Sequence, residues 1–185
     1  MMFLVIALAL AAPTAEEQAK LAAGEVVLHN RTAKHEGALR VEAIVDVKAG
    51  RDAVWAALID FPARKQTNTS LKTIQPYRAA TATEQWVKWE ASRFGVSIVY
   101  HNHYRLSTDK SSLIHELDTA QVNDMDYSRG VFSLSSDASC SPCTRVTYDV
   151  ESDFGVAIPS FVQTWLTGSA VRDFMADIAR RAESG

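Results

Sequence analysis

Between residues 41 and 48, Val41, Ala43, Val45 and Val47 alternate with Glu42, Ile44 and Asp46. A two-residue period of this kind predicts a half-buried strand. Gly50 and Asp52 then open a short helix carrying Val54, Trp55, Leu58 and Ile59 on one side, with Pro62 beyond its end. Six strand-like runs follow with no helical pattern between them, at 71–77, 83–91, 96–107, 112–119, 128–135 and 144–153. The segments 92–95 and 108–111 read as hairpin turns. From 159 to 183 the period lengthens: Phe161, Trp165, Gly168, Val171, Met175 and Ile178 recur at three- and four-residue steps, which predicts a long helix with one buried stripe. Proline at its start suits a first helical turn. The order is α+β, and a long antiparallel sheet that curls around one apolar helix can enclose a cavity.

The amino end follows a different pattern. Residues 2–12 form an uncharged apolar run, too short to span a bilayer, which needs about 20 such residues. With small residues at Ala9, Ala11, Ala12 and Ala15, the run reads as a secretory signal over 1–15. Residues 16–37 are polar and weakly patterned, a linker with room for a short helix, and 38–185 form the folded domain. The expected location is exported, periplasmic or secreted.

Composition narrows the function. The chain has 185 residues, 47% of them hydrophobic and 22% charged, with net charge −3. That length suits one domain with a sizeable core. No basic excess or stripe is present, so nucleic acid is not an expected partner. Two cysteines exclude a disulfide-rich scaffold or a four-cysteine zinc site. Cys140 and Cys143 lie between two strand-like runs, and in an oxidising compartment a disulfide there would pin a hairpin loop. A redox pair needs a helix amino terminus to activate its thiol, and the residues after Cys143 alternate like a strand.

Register assigns the faces. A turn centred on Asp109 and Lys110 sets Tyr104 opposite His115, Asn102 opposite Leu117 and Leu106 opposite Leu113, with His103 and His101 meeting Glu116 and Asp118 on the other face. The first, more apolar surface, with Ile98 and Tyr100, is expected to point inward. His101 and His103 beside two carboxylates have zinc-ligand chemistry, but an outer sheet face lacks the closed pocket of a catalytic site, so no metal is expected. A two-residue tip in the preceding hairpin pairs Trp89 with Ile98 and sends it inside. Phe132, Leu134, Val146, Tyr148 and Val150 continue the inner surface. On the last helix Trp165 belongs to the buried stripe. Thr164 and Gly168 are small positions there, either a gap for a ligand or a close approach of the sheet. No nucleophile elbow, phosphate loop or zinc helix is present.

Two segments, Ala53-Val-Trp-Ala-Ala-Leu-Ile-Asp-Phe-Pro62 and Gly155-Val-Ala-Ile-Pro159 with the helix after it, resemble the START / polyketide cyclase-dehydrase (SRPBCC, helix-grip) superfamily. Element order from 39 to 183 is similar as well. The resemblance implies a curved antiparallel sheet of about seven strands wrapped around a long carboxy-terminal helix, with short helices after the first strand and a hydrophobic tunnel inside. Segment 63–70 departs from it, being more polar than the Pro- and aromatic-rich stretch usual there. The expectation is an exported, monomeric, non-enzymatic carrier of a small hydrophobic ligand (lipid, sterol-like or quinone-like), with no cofactor and with transient membrane contact during ligand exchange. Its ligand residues are expected to be Trp89, Tyr100, Asn102, Tyr104, His115, Leu117, Phe132, Tyr148, Trp165 and Gly168. The alternatives are a cyclase/dehydratase with His115 as acid–base and Tyr104 as partner, and an interaction module whose core is filled.

Overall fold

The computed structural model describes residues 13–68, 70–93, 95–136, 140–155 and 159–185. The apolar run expected to be a signal, the hairpin-tip residue Phe94 and positions 156–158 of the second resembling segment lie outside the described residues.

Eight antiparallel strands form one curved sheet, β1 (Val27–Arg31), β2 (Leu39–Val47), β3 (Leu71–Pro76), β4 (Glu84–Arg93), β5 (Val96–Leu106), β6 (Ser112–Leu117), β7 (Tyr127–Ser136) and β8 (Thr144–Asp153), in the order β1-β2-β8-β7-β6-β5-β4-β3. The sheet therefore has one strand more than expected. The extra one, β1, lies within the stretch 16–37 read as a linker, which also holds helix α1 (Ala15–Ala22) apart from its first residue, Ala15, at the end of the stretch read as a signal. Thr14 and Glu17 cap that helix reciprocally. Its Leu21 joins Val27 and Ile44 in a small apolar cluster on the outer face of the sheet.

β2 is buried on both faces for this reason. Val41, Ala43, Val45 and Val47 face the main core, while on the other side Ile44 lies under α1 and Glu42 receives Arg31 and His29. Asp46 there accepts two hydrogen bonds from Arg145 at 2.7 Å each.

After β2 come α2 (Arg51–Ile59) and the single turn α3 (Arg64–Thr67). The Arg64 guanidinium donates to the carbonyl of Leu58, satisfying a group left open at the end of α2. Arg181 of the last helix does the same for Ala57 and so ties the two helices together. The expected long terminal helix runs from Ser160 to Ser184 with a break: α4 (Ser160–Thr167) and α5 (Ser169–Ser184) meet at Gly168, whose φ of −109° and ψ of −90° are not helical. A Cβ at Gly168 would stand 3.0 Å from the carbonyl oxygen of Thr164, so glycine permits the corner. Val162 is the buried side chain of α4, whereas α5 buries Val171, Met175 and Ile178 against β2 and α2.

The β5–β6 register is the expected one, with Tyr104 opposite His115, Asn102 opposite Leu117 and His103 opposite Glu116. Asp109 and Ser107 accept the backbone N–H groups that close the turn, and Lys110 takes the positive φ of 57°. In the preceding hairpin Trp89 pairs with Tyr100, not Ile98. That shift is two residues, an even step, so Trp89 still faces inward.

Candidate functional site

Between the inner face of the sheet and the two terminal helices lies a cavity of about 150 Å³. Eight of the ten expected residues line it: Trp89, Tyr100, Asn102, Tyr104, His115, Phe132, Tyr148 and Trp165. The other two do not. Leu117 packs instead against the satellite cluster of Ile98, Met125, Phe154 and Val162, and Gly168 forms the corner between α4 and α5. Helix neighbours of Gly168 supply the wall in its place: Leu166, Thr167, Ala170 and Val171.

Aromatic rings cluster in part of this wall. Phe132 and Tyr148 stack with centroids 3.9 Å apart, and Phe174 of α5 leans on both at 5.7 and 5.9 Å. Phe61, in the turn after α2, touches Tyr104 at 4.4 Å and meets Trp89 edge-on at 5.8 Å. Tilted and edge-to-face contacts such as these are favoured arrangements of aromatic rings. Leu39, on the surface at 41% exposure, also borders the cavity.

Two polar pairs lie in this wall, alongside Asn68, Ser70, Ser128, Ser152 and Thr167. The Asn102 side-chain amide donates to the Tyr104 hydroxyl at 3.3 Å. His115 Nε2 and the Tyr148 hydroxyl are 2.8 Å apart. The partner of His115 is thus Tyr148, two strands away, and not Tyr104 directly opposite, whose ring centroid is 5.6 Å distant. Gly130 explains the choice. It stands opposite His115 in β7, and a Cβ there would collide with the imidazole. The missing side chain lets Tyr148 lean across from β8, as glycine inside a strand allows.

Burial pushes the His115 imidazole down to about 3, with Arg129 and Arg64 adding to the effect, so the ring is neutral at physiological pH. Burial raises the phenols too, Tyr104 to about 12 and Tyr148 further. Neither the imidazole nor the phenols are poised to exchange protons near neutrality. Among the described residues His115 Nδ1 and Asn102 Oδ1 have no hydrogen-bond partner.

Sequence reasoning missed three residues here. Phe174 falls on the helix stripe but between its chosen positions. Gly130 carried a signal, an isolated glycine in a strand-like run. Arg64 lay in a polar stretch that offered none. The outer-face histidines have protein partners: His103 meets Glu84 at 3.1 Å and stacks on Trp86, and His101 meets Asn123. Cys140 and Cys143 form the expected disulfide, beside Gly50 and Arg51 and apart from the cavity.

No protein-family model and no curated protein sequence matches this chain. Solved structures do. A START superfamily protein from Mycobacterium smegmatis is similar with a TM-score of 0.63 and 16% identity, over 78% of this chain and 97% of that one. A STAR-related lipid transfer protein from Xanthomonas axonopodis gives 0.59 and 22%, over 86% and 92%. A Streptomyces aromatase/cyclase gives 0.61 and 15%, over 80% and 92%. At such identities the likeness is one of fold, and that fold hosts both carriage and catalysis.

Proposed function

Because the chain folds as a START-type helix grip, we propose that it is an exported, non-enzymatic carrier or sensor of a small hydrophobic ligand held between the sheet and the terminal helices. The observation that carries this reading is the cavity itself, walled mostly by apolar and aromatic side chains with a small number of polar groups among them. Binding comes from apolar area withdrawn from water, about 25 cal/mol per Å² before the entropic cost of association. A neutral, tyrosine-bonded His115 favours carriage over acid–base turnover. The cavity of about 150 Å³ matches a benzene-sized guest. A lipid, sterol-like or quinone-like molecule therefore requires α4, which is held less deeply than α5, to swing at the Gly168 corner. Export is supported by the Cys140–Cys143 disulfide, and among the described residues no helix is long and apolar enough to cross a membrane. The protein acts as a monomer that touches a membrane only during ligand exchange.

The test is extraction of the protein purified from its own host, with mass spectrometry of the extract. A stoichiometric apolar compound is expected. An empty extract, together with no binding from a panel of lipids, quinones and aromatic compounds, would overturn the proposal.

A further inference from the structure

Arg64 is 1% exposed, with its guanidinium on the face of Phe174 at 4.0 Å and beside Phe61 at 5.2 Å. One nitrogen donates to Leu58, while Nε and Nη1 have no partner among the described residues. Among the described residues no carboxylate lies within 4.0 Å of it. Asp177 acts on it from further off; one oxygen of that carboxylate accepts from Arg181 at 3.0 Å, and the other, 3.9 Å from Arg180, has no hydrogen-bond partner among the described residues. An unpaired buried cation is costly, and aromatic faces compensate only part of the loss.

The position of this cation gives it meaning. Phe174 carries it on its ring and also forms cavity wall, as does Tyr104, which Phe61 touches. Asn102 and His115 line the same cavity, are each 3% exposed, and each keep one buried polar atom that has no partner among the described residues. All these groups can donate. The free arginine nitrogens only donate. His115 Nδ1 carries the proton when the Tyr148 hydroxyl donates to Nε2. Turning the Asn102 amide over presents its NH₂ outward and lets its oxygen accept from Tyr104. One acceptor-only, negatively charged group answers the whole set, whereas a hydroxyl would leave the cation uncompensated.

Resting on the carrier reading, we propose that the hydrophobic ligand ends in a carboxylate, lodged where Tyr104, Asn102 and His115 meet, with Arg64 as its counter-charge. Phe174 is the side chain between them, and its rotation admits the carboxylate to the free guanidinium nitrogens. The small cavity narrows the class to aryl or medium-chain alkyl acids.

The test compares octanoate with octanol, equal in tail and different in head, by calorimetry on the full chain at neutral pH. The acid is expected to bind at least about tenfold tighter, as charge-assisted pairing predicts. In Arg64→Gln that preference disappears and octanol affinity stays within about threefold. Carboxyl-labelled octanoate followed by NMR needs no variant: pairing with Arg64 lowers its titration midpoint on binding, whereas burial without the cation raises it. Equal affinities in the unaltered protein, a raised midpoint, or a preference that survives Arg64→Gln would overturn the carboxylate proposal and leave the carrier reading standing. Binding of neither probe would likewise overturn the carboxylate proposal, and the carrier reading would fall with it only if the extract and the ligand panel were empty as well.

Discussion

Gly130 offers the sharpest check on the architecture of the cavity wall. It stands in β7 between His115 of β6 and Val150 of β8. In Gly130→Ala the new methyl group would overlap His115 Nε2 and come within 2.8 Å of Tyr148 Cε2. Both rings are hemmed in, Tyr148 by its stack on Phe132 and His115 by its burial. Overpacking of this kind costs about 1–3 kcal/mol. Parting His115 from Tyr148 breaks a 2.8 Å hydrogen bond and strands two buried polar atoms, worth about 1–3 kcal/mol more. The better strand propensity of alanine returns less than about 1 kcal/mol. The expected loss is therefore about 1–6 kcal/mol, read from urea unfolding. His115→Ala supplies the control, because it removes the ring that the methyl group strikes. In that background Gly130→Ala should cost at least about 1 kcal/mol less, the coupling expected of residues in contact. A Gly130→Ala penalty below about 0.5 kcal/mol, or one identical in both backgrounds, would refute the account of the His115–Tyr148 pair.

Three further outcomes are expected. His29 bonds Glu42 at 2.9 Å and Glu17 at 2.6 Å, and these carboxylates, Glu42 foremost, raise its pKa. Its contribution is complete below the ordinary histidine value of about 6.5 and lost as pH rises through the raised folded value, so thermal unfolding across that window should steepen in the native chain and flatten in His29→Gln. His115 has the opposite sign: held down to about 3 by burial, it favours the folded state above about pH 6.5 and withdraws that support as pH falls, by up to about 1.4 kcal/mol per pH unit. Replacing it with Phe should remove this acid-limb slope from denaturant titrations. Cys140→Ser with Cys143→Ser opens a short loop and should cost about 2 kcal/mol by loop entropy while leaving ligand affinity unchanged, since the disulfide adjoins Gly50 and Arg51 rather than the cavity.

Where the sequence carried local rules, the fold and the wall were legible. The Asp109–Lys110 turn fixed the β5–β6 register, and alternation then sent Asn102, Tyr104 and His115 inward. Trp89 came out right despite a wrong partner, because an error of two residues preserves the face. What escaped depended on contacts remote in sequence. β1 was hidden because His29 and Arg31 look solvated until Glu42 and α1 are placed over them. Tyr148 reaches His115 only because Gly130 leaves a gap between them, a relation across three strands. Arg64 sits in a polar stretch, and its burial follows from Phe61, Phe174 and the end of α2 closing around it. Gly168 was noticed as small, yet whether a small residue bends a helix or opens a pocket is decided by the backbone of its neighbours.

The neighbouring placement of β2 and β8 sets a constraint on how the molecule is made. Arg40 and Asp149 bond across these strands from positions 109 residues apart, whereas β3 to β7 follow one another as a meander that short-range hairpins can assemble. A chain emerging from the ribosome keeps the apolar side of β2 uncovered until nearly all of it has been synthesised. Completion of the sheet is therefore a late, whole-chain event. Truncations before β8 should be captured by chaperones and not accumulate as half-built domains.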